Sequence, residues 1–428
     1  MKLIKTYGRT AKAAAALIES IEQRGAVSTA KVEPVVRRIL ADVRKGGDRG
    51  LRKYATKFDG LAKNTPLLVS REEMEAAWHA TSPELQAAMM VARANILAFA
   101  EAQMPKEWSF SPTPGVKTGQ IIRPLGSVGC YVPGGRYPLP STLFMTATPA
   151  QVAGVDRIVV CSPKPVRETL AAAYLAGVTE FYRVGGAQAI AALAYGTETI
   201  APVNKMVGPG NLYVTAAKSL VSSECGIDMP AGPTEIVVTS DTGYAPGIAA
   251  DLVAQAEHDP ETLAVLITSN EKLASSVAAE AKLQAKDNKL AKISLTKQGA
   301  IFVTKTVAEA RELTNRLAPE HLTVDSAADL KWVQNAGSVF VGDYAPQSMG
   351  DYVSGPNHVL PTGRVGRIRG GLSVMDYVKI ITVQEYTAAG LRKIGPHAIA
   401  LANAEGLTGH ARSVSVRMKS AKKTEVAR

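Results

Sequence analysis

Three cysteines, Cys130, Cys161 and Cys225, are too few and too far apart for a disulfide framework, and none forms a CxxC pair. That usage suits a reducing compartment, so the expected location is the cytoplasm. Aromatic residues make up only 5% of the chain, which argues against a stacking platform for single-stranded nucleic acid. No apolar run approaches the roughly 18 residues of a membrane span, so no membrane partner is expected. The apolar stretch Ala13 to Ile18 meets Glu19 and Glu22 at once and lacks a small-residue cleavage site. It reads as an amphipathic helix, not a signal peptide.

What is present is ordinary globular material. The 428 residues are 46% hydrophobic and 20% charged, which leads to an expectation of about three domains with a large core. The balance of 49 Lys+Arg against 38 Asp+Glu gives +11, and five of those charges fall in the last 18 residues. A short basic tail is a solvated terminus before it is a nucleic-acid arm, so no nucleic-acid partner is expected. Gly363, Gly366, Gly370 and Gly371 alternate with Arg364, Arg367 and Arg369, and this stretch reads as a mobile loop.

The pattern changes along the chain. Residues 1 to about 110 read as helical: Pro34 opens a periodic stretch that stops at Gly46-Gly47, Ser70 and Glu73 form a capping box, and Ser82-Pro83 starts another helix. From about Gly126, short β-branched runs alternate with alanine-rich segments of helix length. The runs are 157–161, 181–184, 206–207, 235–239, 263–268, 301–304 and 338–341. Such alternation predicts an α/β fold with parallel sheets, and the number of strands predicts two α/β units. A boundary is expected near Gly232-Pro233.

Glycine clusters at Gly126 to Gly135, Gly185-Gly186 and Gly208 to Gly210 follow strand-like runs. None has the GxGxxG or Walker spacing, yet together they point to a phosphate or dinucleotide ligand at helix N-termini. Tyr131, Gln188 and Asn211 are the polar side chains they offer. Gln255 and His258, at i and i+3, share a helix face. With Asp351 and His410 they make a nitrogen- and oxygen-rich set suited to zinc or its neighbours. Glu320-His321 places two proton-transfer groups side by side. Cys130, beside one of the glycine loops, is the best candidate for a nucleophilic thiol and so for a covalent alternative.

At these residues the sequence closely resembles the histidinol dehydrogenase family. The matching segments are GCYVPGGRYPLPST from Gly129, VGGAQAIAALAYGTETI from Val184, VGPGNLYV from Val207 and GIDMPAGPTEIVV from Gly226. They continue with AQAEHD from Ala254, LAPEHL from Leu317, GDYVSGPNHVLPT from Gly350 and AEGLTGHARSV from Ala404. The resemblance implies zinc ligands at Gln255, His258, Asp351 and His410, and catalytic groups at Glu320 and His321. It implies substrate contacts at Thr234, His358 and Glu405 beside the ligands and His321, and NAD contacts at Tyr131, Gln188 and Asn211. Thr234 stands where many members carry serine, and Pro356 where threonine is common.

The implied fold is two incomplete Rossmann-like domains, aldehyde-dehydrogenase-like, with small helical terminal segments. Its expected boundaries are an N-terminal helical segment at 1–25, a catalytic domain from 26–125 plus 236–375, and an NAD-binding domain at 126–235. A C-terminal segment at 376–428, with its basic tail 418–428, is expected to reach the partner subunit of a homodimer. The implied activity is the oxidation of L-histidinol to L-histidine with two NAD, which closes histidine biosynthesis.

Overall fold

The computed structural model describes residues 1–24, 29–134 and 138–426, with side chains as far as residue 419. Gly135 of the glycine cluster, and the expected boundary after residue 25, lie outside the described residues. The chain divides into two compact units. The first comprises Met1–Gln103 and Leu125–Tyr377, the second Met104–Pro124 and Val378–Arg428.

Among the described residues, fifteen strands carry the framework. They are β1 Lys2–Lys5, β2 Leu68–Val69, β3 Trp108–Thr113, β4 Val116–Pro124, β5 Ser127–Tyr131, β6 Arg157–Cys161, β7 Glu180–Tyr182 and β8 Lys205–Val207. The remainder are β9 Gly226–Ile227, β10 Glu235–Thr239, β11 Leu263–Thr268, β12 Ala300–Val303, β13 His321–Val324, β14 Ser338–Val341 and β15 Val378–Tyr386. The first unit holds two six-stranded sheets, ordered β2-β7-β6-β5-β8-β9 and β1-β12-β11-β10-β13-β14. Apart from the antiparallel two-residue β2, the pairing in both is parallel.

Each sheet contains the same doubly wound run, third-second-first-fourth-fifth in chain order. The strand order reverses between β5 and β8 in one sheet and between β10 and β13 in the other. Such switch points open crevices at the carboxyl ends of strands, where ligands bind. Gly232-Pro233 lies between β9 and β10, where one sheet ends and the other begins.

Continuous apolar runs form these strands because helices cover both faces. β10 and β11 are buried at every position. Ile236, Val238 and Leu266 pack with Leu252 and Val277 on one face, while Val237, Val265 and Leu322 pack with Ile18, Leu313 and Leu317 on the other. In the other sheet's core, Val36, Ile39, Val43 and Leu51 of helix Glu33–Tyr54 join Ile190, Leu193 and Val214. That helix breaks where the glycine pair predicts: Gly47 has φ 50° and ψ −134°, and a Cβ there would lie 2.2 Å from Glu198 Oε2. The Ser70–Glu73 capping box forms through reciprocal bonds of 3.1 and 3.2 Å.

Three readings change. The N-terminus begins as a strand, not a helix: β1 pairs with β12, and the helix starts only at Ala11. The second unit contains an antiparallel sheet, β15-β4-β3, where the sequence pattern showed no strands. The Arg-Gly stretch is structured rather than mobile. Arg364 donates to the carbonyls of Arg316 and Glu22, and Arg369 donates to the Asp228 carbonyl and pairs with Asp376 at 2.8 Å. Among the described residues no helix is long and apolar enough to cross a membrane.

Candidate active site

β10 and β13 lie side by side, with Ile236 opposite His321. Their amino ends gather the acid–base residues. Ala318, in the left-handed conformation at φ 47°, ends helix Val307–Leu317 and turns the chain into Pro319-Glu320. Glu320 is buried, and its Oε2 accepts from the Glu235 amide at 2.8 Å and from the Thr234 hydroxyl. Thr234 Oγ1 in turn accepts from Gln255 Nε2. This relay fixes the carboxylate and both of its neighbours.

His321 Nδ1 lies 3.0 Å from the Glu235 carbonyl. A carbonyl only accepts, so Nδ1 carries a proton and Nε2 is the basic nitrogen of the neutral ring. Nε2 is buried without a hydrogen-bond partner, 3.8 Å from Asp351 Oδ1, while the Phe340 ring stacks on the imidazole at 6.0 Å. Burial opposes charge on His321, but Glu320 and Asp351 outweigh it and raise its pKa to about 10. At that value the metal-free ring is an imidazolium at neutral pH, and a cation held by Asp351 would withdraw that carboxylate's share and return the ring toward the neutral form in which Nε2 is a base.

His358 bonds the Asp351 carbonyl through Nδ1 at 2.8 Å and Thr142 Oγ1 through Nε2 at 3.1 Å. Burial holds its pKa below the ordinary value. Asp351 Oδ2 accepts from Gln347 Nε2 at 3.2 Å. Burial works against charge on Asp351, yet His321, His358 and His258 hold its pKa below the ordinary range. A cavity of about 330 Å³ opens here, lined by His321, Phe340, Asp351 and His358.

The donor set fits a cation at one telling point. Gln255 Oε1 is buried and has no hydrogen-bond partner, which is costly for an amide oxygen unless something electropositive completes it. Gln255 lies in the last turn of helix Ala245–Ala256, and His258 follows just beyond it, its amide bonded to the Gln255 carbonyl at 3.2 Å. The two share a tight turn rather than a helix face. Among the described residues no three His, Cys, Asp or Glu side chains are grouped to hold a metal ion. Glu405 caps helix Ala388–Ala404, and His410 lies in the first turn of helix Thr408–Val426, both in the second unit.

Tyr131, Gln188 and Asn211 meet in a separate cleft of about 920 Å³ at the carboxyl ends of β5 and β8. Gly208 in its loop is required by geometry: φ is 114°, and a Cβ would stand 2.2 Å from the Tyr131 carbonyl. Asp228 accepts from the Gly208 amide at 2.8 Å, and Lys218, ion-paired with Asp228, donates to the Gly208 carbonyl at 2.9 Å. The helix N-termini are less open than the glycine clusters implied. The Gly185 amide is taken by Asp59, that of Gly186 by Tyr131 Oη, and those of Tyr213 and Val214 by the Asn211 side chain.

Sequence reasoning passed over Asp59, Lys164 and the Lys218–Asp228 pair. Only Asp59 carries a signal, the Asp-Gly turn with Gly60 in the left-handed conformation. The thiol reading fails on burial. Cys130 and Cys225 are enclosed, and desolvation pushes their pKa values up to about 12 and about 11.

Two doubly wound sheets, a large cleft and the Glu320-His321-Asp351 cluster make this an α/β protein with an acid–base site. Residues 22–418 match the family model described as histidinol dehydrogenase, and the chain belongs to that family. It is 45% identical over 415 residues to the histidinol dehydrogenase of Methanothermobacter thermautotrophicus, covering 94% of this chain and 97% of that protein. To the Rhizobium meliloti histidinol dehydrogenase it is 47% identical over 399 residues, covering 90% and 92%. The crystal structure of histidinol dehydrogenase from Elizabethkingia anophelis superimposes with a TM-score of 0.92 at 34% identity, covering 99% of each chain.

Proposed function

We propose that this chain oxidises L-histidinol through L-histidinaldehyde to L-histidine, with two NAD reduced and one water consumed, at the end of histidine biosynthesis in the cytoplasm. The observation that carries the reading is the cluster at the amino ends of β10 and β13, where a basic, unpartnered His321 Nε2 faces Asp351 beside Glu320. In the first oxidation His321 Nε2 takes the hydroxyl proton as hydride leaves the carbinol carbon. In the second, Glu320 takes a proton from the water that adds to the aldehyde carbon. The Thr234–Gln255 relay keeps the Glu320 carboxylate aimed, and His358 presents a neutral ring to the substrate.

Gln255, His258 and Asp351 would hold zinc, with His410 as the fourth ligand. Bound there, zinc supplies a fixed point that orients the substrate's amine and imidazole nitrogens. Tyr131, Gln188 and Asn211 would hold NAD, the hydride acceptor. His410 and Glu405 are assigned to the site of a second copy, which makes the working enzyme a homodimer with shared sites. In domain terms, 126–235 forms the NAD domain, joined by helix Glu33–Tyr54 and β2 that pack on its sheet, 236–375 with β1 forms the catalytic domain, and 376–428 is the arm to the partner.

The test is the NADH yield per histidinol with purified, zinc-loaded protein. Two NADH per substrate supports the reading; one NADH, with the aldehyde accumulating, overturns it.

A further inference from the structure

In doubly wound sheets the carboxyl end of the second strand reads the adenosine ribose, with an Asp or Glu that accepts from the ribose hydroxyls. In the sheet that carries the large cleft, the second strand is β6. Its end reads Ser162, Pro163, Lys164 and Pro165, without a carboxylate. The cleft nevertheless has one. Asp59 reaches the same wall from the turn after helix Glu33–Tyr54, beside Ser162, Pro163 and Lys164.

Asp59 is held there. The Gly185 amide and Gln188 Nε2 both donate to its Oδ2, at 3.0 and 3.1 Å, and neither engages Oδ1. Lys164 lies against the same turn, since a Cβ on Gly60 would stand 3.5 Å from Lys164 Cε. Lys57 also lines the cleft. One carboxylate and two ammonium groups therefore share this wall.

We propose that Asp59 is the residue by which the cleft distinguishes an unphosphorylated adenosine ribose from a 2′-phosphorylated one. This rests on the NAD reading above. The carboxylate accepts from ribose hydroxyls, whereas a 2′-phosphate brings a dianion against it. Replacing the carboxylate by an amide removes that repulsion and leaves Lys57 and Lys164 to attract the phosphate. The fold thus supplies from a preceding helical turn the acid that the strand end lacks.

The experiment compares kcat/KM for NAD and NADP in the full-length, zinc-loaded wild type and the Asp59→Asn variant. The NADP/NAD ratio is expected to rise about tenfold or more, the scale of removing one charge beside a phosphate at an intermediate dielectric. Adding Lys164→Ala to that variant is expected to reverse much of the gain. Equal loss with both dinucleotides would overturn the proposal and make Asp59 only a brace for Gln188. Should Asp59→Asn not fold, Lys164→Ala alone decides. It is expected to weaken inhibition by 2′-phospho-ADP-ribose while sparing ADP-ribose, and equal weakening of both overturns the assignment. A wild type that turns over with neither dinucleotide sinks the proposed function itself. A wild type that uses NAD, with an unchanged ratio in the variant, sinks this inference alone.

Discussion

Replacing Glu235 by Gln isolates the electrostatic burden of the active-site floor. Glu235 opens β10 and is buried, and its Oε1 accepts from the Gly363 amide at 3.2 Å. Burial first, and then the neighbouring Glu320, raise its pKa from 4.5 to about 7, against the pull of Arg24. In the unfolded chain the carboxyl ionises near 4.5, so between that pH and about 7 the unfolded state sheds a proton that the folded state retains. Stability therefore falls as pH rises through this window. The contribution is complete below the unfolded pKa and lost above the folded one. The rise to about 7 corresponds to roughly 3 kcal/mol. Gln keeps an oxygen for the Gly363 amide but has nothing to ionise. Urea unfolding of both proteins at about pH 5 and about pH 8 should show the variant gaining roughly 3 kcal/mol on the wild type at the higher pH. Parallel stabilities across that range would refute the reasoning.

Glu320→Gln should slow oxidation of the aldehyde about 10²–10⁴-fold while His321→Asn impairs the alcohol step more, and equal losses on both substrates would undo that division. Lys218→Met leaves Asp228 buried without its cation and should cost about 3–5 kcal/mol in unfolding experiments, most of it recovered by adding Asp228→Asn. Serine at Cys130, Cys161 and Cys225 together should leave aldehyde oxidation largely intact, because desolvation keeps these thiols protonated; abolished turnover in a folded triple variant would restore the covalent route. Co-refolding a His258→Ala chain with a His410→Ala chain should recover about a quarter of wild-type sites, since random pairing makes half the dimers mixed and each then has one intact site. Proven heterodimers without any recovered NADH production would refute the sharing.

Legibility in the sequence followed the range of the forces involved. β10, β11 and β12 are readable because burial on both faces demands unbroken apolar runs. The Ser70 cap and the Gly47 break are readable because they are local. β1 is not: KLIK resembles any short amphipathic stretch, and what makes it a strand is β12, with Lys2 opposite Ala300. β3, β4 and β15 are hidden for a similar reason, since β15 buries none of its residues and shows no core-facing stripe. At the site, Glu320 and His321 are adjacent in sequence, but the roles of their atoms come from Glu235, whose amide and carbonyl hold one of them each. Backbone groups at that position are invisible in a side-chain pattern.

The two sheets share one winding yet place their chemistry at opposite ends, and the reason lies in their switch-point crevices. Over the carboxyl ends of β5, β6, β7 and β8 the cleft is about 920 Å³, ample for a dinucleotide. Between β10 and β13 it is about 130 Å³. There Asp343 accepts from the Tyr244 amide at the start of helix Ala245–Ala256, and Asp325 accepts from the amides of Asp241 and Thr242 at 2.9 and 3.3 Å. Carboxylates thus occupy the donors that a phosphate would need, and their charge repels one. With its carboxyl end closed by its own side chains, this sheet has only the amino ends of β10 and β13 to offer. Thr234, Glu235, Glu320 and His321 all stand there. On the proposed function, one crevice among the described residues would serve the nucleotide, so two successive oxidations would require that its occupant be exchanged while the aldehyde stays at the other sheet.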